Sequence, residues 1–225
     1  MLPQSAVQSV VPPRGKQQIF KKQGKRTLCG ILESIGATVD YPRNAEIYGE
    51  GESAEYVYKV IAGAVRVYKV LDDGRRQISA FYLPGDIFGL AANARYRFSA
   101  EAVTHSSLFV VKGGTLKSLA AQDPELANEL WSITARELEY IQGLMIMLGR
   151  KNAQERVIGF LLEMAARAGG SPFQLPMSRQ DIADYLGLTI ETVSRNFTQL
   201  EKQLMIKLPS SRCVILCNPD TLAKS

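Results

Sequence analysis

The sequence has few cysteines, a single histidine and no long run of apolar residues. Its three cysteines are Cys29, Cys213 and Cys217, too few for a disulfide framework and compatible with a reducing compartment. No apolar stretch approaches the roughly 20 residues that a membrane-spanning helix requires. The first residues also lack the apolar core of a signal peptide. We therefore expect a cytoplasmic protein with no membrane segment.

The residues that most enzymes need are equally scarce. The one histidine is His105, and the sequence has no nucleophile-elbow pattern, no phosphate-binding glycine loop and no cluster of metal ligands. Cys213 and Cys217 are four residues apart, which by itself is too little for a zinc site. The sequence therefore favours a protein that is not an enzyme and holds no metal. An enzyme built on a cupin-like barrel is the alternative.

Positive charge is in excess, but it is unevenly distributed. Lys and Arg number 27 against 22 Asp and Glu, a formal net charge of +5. Residues 1–30 contain basic residues and no acidic residue, and their Pro, Gly, Gln and Lys content is typical of disorder. We expect residues 1–27 to be a disordered basic tail. The net charge therefore gives only modest support to a nucleic-acid partner.

The stretch from Met177 to Arg195, MSRQDIADYLGLTIETVSR, predicts two short helices joined by a glycine turn. Ser178 is a good N-cap for the first helix, and Gly187 suits the left-handed position that ends it. Thr189 can cap the second helix, whose apolar residues recur at helical spacing. These apolar residues are Val193, Phe197 and Leu200. The pattern indicates a helix-turn-helix.

The start of the second helix bears side chains that can recognise base pairs. Arginine pairs with guanine, glutamate accepts from the cytosine amino group, and an aliphatic side chain contacts the thymine methyl. The predicted base-reading residues are Ile190, Glu191, Ser194 and Arg195. The predicted contacts to the DNA backbone are Ser178, Arg179, Thr189, Thr192 and Arg212. The alternative is a pair of surface helices on which Glu191 and Arg195 form an ion pair.

The flanking segments extend this motif to a winged helix-turn-helix over residues 150–225. A break is expected at 149–152, followed by a helix with an apolar face. After the second motif helix, the run IKLPSSRCVIL predicts a strand, a turn and a second strand. This hairpin would be the wing, with Arg212 near its turn.

Residues 28–122 show the pattern of short strands that follow one short helix. Glycines recur at regular intervals, at Gly51, Gly63, Gly74 and Gly85, between alternating β-branched and aromatic segments. Asp73-Gly74 is a strong signal for a hairpin turn. Regular short strands of this kind predict a β-barrel or β-roll.

A long helix is predicted over residues 123–149. Asp123 and Pro124 suit the N-cap and the first helical position. The apolar residues that follow step by four and three, which is the rhythm of a coiled coil. The expected homodimer interface is Leu130, Thr134, Leu138, Ile141, Met145 and Leu148. The alternative is a helix that packs only on its own domain.

Residues 30–222 resemble, in order, the CRP/FNR superfamily of bacterial transcription regulators. The run GESAEYVYKVIAGAVRVYKVLDDGRRQISAFYLPGDIFGL is similar to its cyclic-nucleotide-binding β-roll, and RQDIADYLGLTIETVSR to its recognition unit. LPMSRQDIADYLGLTIETVSR and YPRNAEIYGE resemble the FixK branch. The resemblance implies an α+β protein with an N-terminal double-stranded β-roll, a long dimerisation helix and a C-terminal winged helix-turn-helix.

The resemblance also implies a function. A FixK-like protein is expected to be a homodimeric activator of genes for low-oxygen respiration or nitrogen fixation. Its implied partners are double-stranded DNA with a palindromic TTG…CAA-like site, and RNA polymerase. The two recognition helices would lie about one DNA turn apart, ~34 Å.

The ligand sites of such relatives are incomplete in this sequence. In relatives that bind cyclic nucleotides, a Gly-Glu pair holds the ribose and an Arg before Ser/Thr-Ala holds the phosphate. Here Leu90 follows Gly89, and Arg97 is out of register. An FNR-type iron–sulfur cluster uses four cysteines, and the N-terminal region has only Cys29. We therefore expect no cofactor and no small-molecule effector; a cyclic-nucleotide-responsive regulator is the alternative.

Overall fold

The computed structural model describes residues 27–217 and Leu222, so the predicted tail over residues 1–27 lies almost wholly outside the described part. The helices are α1 (Leu28–Ile35), α2 (Gly113–Ala120), α3 (Pro124–Arg150), α4 (Ala153–Arg167), α5 (Arg179–Leu186) and α6 (Ile190–Lys202). The strands are β1 (Ala37–Tyr41), β2 (Glu46–Tyr48), β3 (Tyr56–Ala62), β4 (Val65–Val70), β5 (Arg76–Tyr82), β6 (Ile87–Phe88), β7 (Ser99–Ala102), β8 (Ser106–Lys112), β9 (Phe173–Gln174), β10 (Ile206–Lys207) and β11 (Cys213–Leu216). No helix in this part is long and apolar enough to cross a membrane.

The first eight strands form two antiparallel sheets that face each other as a β-roll. Their orders are β1-β8-β3-β6 and β2-β7-β4-β5, so neighbours in space are often distant in sequence. Gly74 has a φ of 83° in the turn between β4 and β5, as the predicted hairpin requires. Gly63 has a φ of 86°, and a Cβ there would lie 2.4 Å from the carbonyl oxygen of His105. Only glycine fits that second turn.

The long helix α3 begins and ends close to the positions that the sequence predicts. The side chain of Asp123 accepts hydrogen bonds from the first free backbone N–H groups, and Pro124 is the first helical residue. After Arg150 the chain leaves the helix. Asn152 then starts α4 with a reciprocal capping arrangement, in which its side chain and that of Glu155 each bond the other's backbone. The predicted break is confirmed.

The C-terminal segment is a winged helix-turn-helix. Helices α4, α5 and α6 pack on a three-stranded sheet of order β10-β11-β9. Strands β10 and β11 pair as the predicted wing hairpin. Strand β9 was not predicted, because two residues are too short for a periodic pattern; it pairs with β11 through Phe173 and Val214. The predicted α+β fold class is confirmed.

The roll and the C-terminal segment share one hydrophobic core. Ile78 and Phe81 of β5 belong to the same buried cluster as Phe160 of α4 and Tyr185 of α5. The ring centroids of Phe81 and Tyr185 are 5.4 Å apart. The helix-turn-helix therefore packs against the roll of its own chain as well as against α4.

Candidate nucleic-acid interface

The first helix of the motif, α5, has a well-defined start and stop. The hydroxyl oxygen of Ser178 accepts a hydrogen bond from the backbone N–H of Asp181 at 3.1 Å, and the carboxylate of Asp181 accepts one from the N–H of Ser178 at 2.9 Å. Gly187 ends the helix in the left-handed conformation, with a φ of 62°. The Ser178–Asp181 contacts fix the start of α5, and Gly187 allows the chain to turn into α6.

The second helix, α6, separates a buried face from an exposed one. The Thr189 hydroxyl oxygen accepts from the N–H of Thr192 at 3.2 Å, which caps the helix as predicted. Val193, Phe197 and Leu200 are buried in the core. The four predicted base-reading residues are all exposed and lie together on the first two turns: Ile190, Glu191, Ser194 and Arg195. The structure therefore brings together the side chains that the sequence singled out.

Glu191 is held as a carboxylate at the start of α6. Its pKa is lowered by hydrogen bonding to its own backbone N–H and to the side chain of Thr189. The ion pairs found within the described residues do not include one between Glu191 and Arg195. Both side chains are thus available to a ligand rather than committed to each other.

Two arginines predicted to contact the DNA backbone lie near the start of α5, but neither projects freely. The Arg179 guanidinium lies 3.4 Å from the centroid of the Phe197 ring. Burial, aided by the positive charge of Arg212, lowers the pKa of Arg179 to about 10. Arg212 itself donates a hydrogen bond to the carbonyl oxygen of Pro176. The structure therefore ties Arg212 to the segment before α5, whereas the sequence suggested a free position on the wing.

The other predicted backbone contacts are exposed to different degrees. Thr189 is exposed and Thr192 half-buried, and their hydroxyl oxygens are 3.1 Å apart. The hydroxyl of Ser178 donates to the Asp181 carboxylate at 2.7 Å, so it is engaged within the chain. Of the hydroxyl groups in this set, that of Thr189 is the most accessible to a phosphate.

Aromatic side chains fill the interior of the β-roll. The rings of Tyr48 and Tyr96 stack with centroids 3.7 Å apart, and those of Tyr58 and Phe88 stack at 5.1 Å. The Tyr96 hydroxyl donates to the carbonyl oxygen of Tyr56 at 2.6 Å. The sequence did not predict this cluster, because aromatic residues are ordinary components of strands. These rings join the two sheets, because Tyr48 belongs to one sheet and Tyr58 to the other.

The long helix α3 has one face packed on its own chain and another that is apolar and exposed. The exposed large side chains of the predicted interface are Leu138, Ile141 and Met145, with Met145 67% exposed. Leu130 instead packs against the cluster around Leu28. Trp131, which is 73% exposed, takes the heptad position that precedes Leu138, and the sequence analysis missed it.

The remaining two predicted interface residues, Thr134 and Leu148, differ from each other in exposure. Thr134 is exposed, as an interface residue must be in a single chain. Leu148 is half-buried and lies close to the α5–α6 turn, 3.9 Å from where a Cβ on Gly187 would stand. The exposed stripe on α3 therefore runs from Trp131 to Met145.

Both halves of the chain match known domain families. The Crp-like helix-turn-helix domain matches residues 155–225, and the cyclic nucleotide-binding domain matches residues 38–123. Over 200 residues the chain is 50% identical to the nitrogen fixation regulation protein FixK of Azorhizobium caulinodans, covering 86% of this chain and 81% of that protein. This chain belongs to the CRP/FNR superfamily of transcription regulators, in its FixK-like branch.

Other relatives agree with that placement. The solved structure of FixK2 from Bradyrhizobium japonicum is similar with a TM-score of 0.82 and 48% identity, covering 84% of this chain and 96% of that one. The transcriptional activatory protein AadR of Rhodopseudomonas palustris is 41% identical, covering 80% of each chain. The chain is a DNA-binding transcription regulator, and its family is one of regulators rather than enzymes.

Proposed function

We propose that this chain acts as a homodimeric activator that reads an inverted repeat in double-stranded DNA through the start of α6. The observation that supports this most strongly is the exposed group of Ile190, Glu191, Ser194 and Arg195 on the first two turns of a capped helix. In helix-turn-helix proteins, the N-terminal residues of the second helix contact base edges in the major groove. Arg195 would donate to guanine and Glu191 would accept from cytosine.

The apolar stripe on α3 supports the homodimer. Large contiguous apolar patches are rarely left exposed by monomers, and they mark interaction sites. Trp131, Leu138, Ile141 and Met145 recur at coiled-coil spacing, so the same stripe on a second copy can cover them about a two-fold axis. That pairing would present two recognition helices to two half-sites about one turn apart, ~34 Å.

The proposed target genes follow from the relatives. Two relatives at 50% and 40% identity are named as nitrogen fixation regulation proteins, and another is named as a transcriptional activatory protein. We propose that this chain activates genes of nitrogen fixation or low-oxygen respiration from TTG…CAA-like sites, with RNA polymerase as partner. Purified protein and polymerase on a promoter with such a site should give more transcript than polymerase alone.

DNA binding by this chain would need no small-molecule effector. The rings of Tyr48, Tyr58, Phe88 and Tyr96 occupy the inside of the roll, so the roll has a packed core without a ligand. A ligand shifts a conformational equilibrium only through different contacts with the two states. The alternative is a cyclic-nucleotide-responsive regulator, whose ligand would lie against Gly89 and Leu90, where a cavity opens between the roll and α3.

Selection of bound genomic fragments followed by footprinting tests the proposed function. We expect protected inverted repeats with TTG…CAA-like half-sites, upstream of promoters. Glu191→Ala and Arg195→Ala provide the matched variants, and they should broaden the selected sequences at one base pair per half-site. Recovery of fragments with no shared motif, or of the same motif by all three proteins, would refute the assignment of α6 as the base-reading element.

A further inference from the structure

Two arginines of the β-roll meet one carboxylate of the helix-turn-helix. Arg66 of β4 donates from Nη1 to Oδ1 of Asp181 at 2.9 Å, and Arg76 of β5 donates from Nη2 to the same oxygen at 2.8 Å. Arg66 and Asp181 are 7% and 4% exposed. Asp181 is 115 residues from Arg66 in sequence, so this cluster joins the two halves of the chain.

The same carboxylate also caps α5. Its other oxygen, Oδ2, accepts hydrogen bonds from the backbone N–H and the hydroxyl of Ser178, at 2.9 Å and 2.7 Å. Asp181 thus connects the roll to the first turn of α5, next to Arg179. Any rotation of the helix-turn-helix on the roll would break the two bonds to Oδ1, which come from the roll, while the bonds to Oδ2 stay within the helix-turn-helix.

Further contacts from β5 follow α5 along its length. Arg76 donates from Nε to Asp184 at 2.7 Å, and Gln77 donates from Nε2 to the carbonyl oxygen of Tyr185 at 3.2 Å. Arg76 therefore contacts α5 at both Asp181 and Asp184, and Gln77 contacts it at Tyr185. Apolar contacts such as that between Phe81 and Tyr185 are not directional, whereas these hydrogen bonds admit one orientation.

The cluster is charged, and both carboxylate oxygens of Asp181 accept hydrogen bonds within it. Burial alone would raise the pKa of Asp181, but the hydrogen bonds from Ser178 and the charges of Arg66 and Arg76 hold it below its ordinary value. Arg66 is balanced on its other side by Glu101, at 2.5 Å. Removing one member of a buried charged cluster leaves the charges of its partners unpaired. The cluster is therefore stable only with all of its members in place.

We propose that Arg66 and Arg76 are positioning residues for DNA binding, which act through Asp181 to hold each helix-turn-helix at one fixed angle on its roll. Because the roll is joined to the dimerisation helix, this angle sets the distance between the two recognition helices. The inference rests on the proposed homodimer that reads an inverted repeat. It predicts that a residue remote from the base-reading surface determines which spacing between half-sites is accepted.

Arg76→Met provides the test, since it breaks the bonds to both Asp181 and Asp184 while Arg66 still pairs with Asp181. Binding is measured to a full inverted repeat, to an isolated half-site, and to repeats whose spacer is one base pair longer or shorter. One base pair turns a half-site by about one-tenth of a DNA turn. We expect roughly tenfold weaker binding to the full repeat, which corresponds to about 1.4 kcal/mol, and half-site binding within threefold of wild type.

The spacer series gives the readout that a purely structural role would not alter. Wild-type protein should prefer one spacing strongly, and Arg76→Met should bind the three spacings with similar affinities. Arg75→Met is the matched control, because Arg75 is the preceding residue, its side chain is 78% exposed and it pairs with Asp73 in its own turn. The control should retain the wild-type preference.

Each other outcome has a defined meaning. Equal losses on full and half sites, or an unchanged spacing preference in Arg76→Met, would overturn the positioning role while leaving the proposed function intact. A wild-type protein that prefers no spacing would overturn the proposed function itself. If thermal unfolding shows that Arg76→Met is not folded, Asp184→Asn replaces it. This second variant must then bind the three spacings with similar affinities for the inference to stand.

Discussion

The interior of the β-roll and the start of α6 both belong to domains of the CRP/FNR superfamily, yet the side chains of the first are buried and those of the second are exposed. In the roll, Tyr48 and Tyr96 stack at 3.7 Å inside the space between the sheets. On α6, Glu191 and Arg195 are exposed and unpaired with each other. One region is closed by its own side chains and the other is open to a partner. The difference supports the proposal that the roll serves as a scaffold and that α6 recognises the DNA.

The two regions also differ in the charge of their ionisable side chains. Burial raises the pKa of Tyr48, so its hydroxyl stays neutral within the roll. Hydrogen bonds at the start of α6 lower the pKa of Glu191, so its carboxylate stays charged. A neutral, packed interior favours stability, and a charged, exposed surface favours recognition of polar base edges.

The largest effect is expected from separating the dimer, which should remove DNA recognition while leaving the roll folded. The double variant Ile141→Glu, Met145→Glu places four like charges in a two-fold apolar interface. Burying unpaired charge costs several kcal/mol, so association should fail in sedimentation. Binding to a full palindrome should drop far more than binding to a half-site.

Ile146→Glu is the matched control for that variant. Ile146 is also an exposed apolar residue of α3, 58% exposed, but it lies about 140° round the helix from Ile141 at 100° per residue. It should leave the dimer intact. If the double variant stays dimeric, or if Ile146→Glu dissociates as readily, the interface lies elsewhere.

Opening the roll should cost stability without altering base recognition. Tyr48→Ala removes a ring that stacks in the filled interior, and large-to-small aromatic changes in a core cost about 3–5 kcal/mol. The measurement is chemical unfolding, with Phe98→Ala as control because Phe98 is exposed on the same roll. Folded Tyr48→Ala protein should select the wild-type DNA motif; loss of less than about 1 kcal/mol would mean that the interior is not the core of the roll.

A smaller effect is expected at the base-reading surface, where stability should not change. Arg195→Ala should cost about 1–3 kcal/mol of specific DNA binding and relax preference at one base pair per half-site. Lys202→Ala, at the other end of α6, should weaken binding without changing preference. Glu191→Ala should lose discrimination more than affinity. An unchanged specificity in both Glu191→Ala and Arg195→Ala would leave α6 without its assigned role.

The sequence predicts the elements well where local chemistry determines them. The turn at Gly187, the cap at Thr189 and the start of α3 at Asp123 depend on residues within one helical turn. The exposed face of α6 follows from the same periodicity. The order of the domains follows from the family resemblance.

The contacts between distant segments could not be predicted in this way. Asp181 has the signature of a helix cap, and nothing in its neighbourhood shows that it also binds Arg66 and Arg76. The stacking of Tyr48 on Tyr96 likewise joins β2 to the loop before β7, which is far from it in sequence. On α3, Leu130 and Trp131 are adjacent apolar residues, and only the packing around Leu28 determines which of them faces solvent.

The contrast between a filled roll and an open α6 is tested most directly by DNA binding with and without a cyclic nucleotide. Protein purified with a chelator is titrated against a duplex that holds the inverted repeat, and cyclic AMP is then added. We expect specific binding without any addition, and a change in dissociation constant of less than about threefold, or ~0.7 kcal/mol. A larger, saturable enhancement by the nucleotide would show that the chain binds it and that the roll is a sensor.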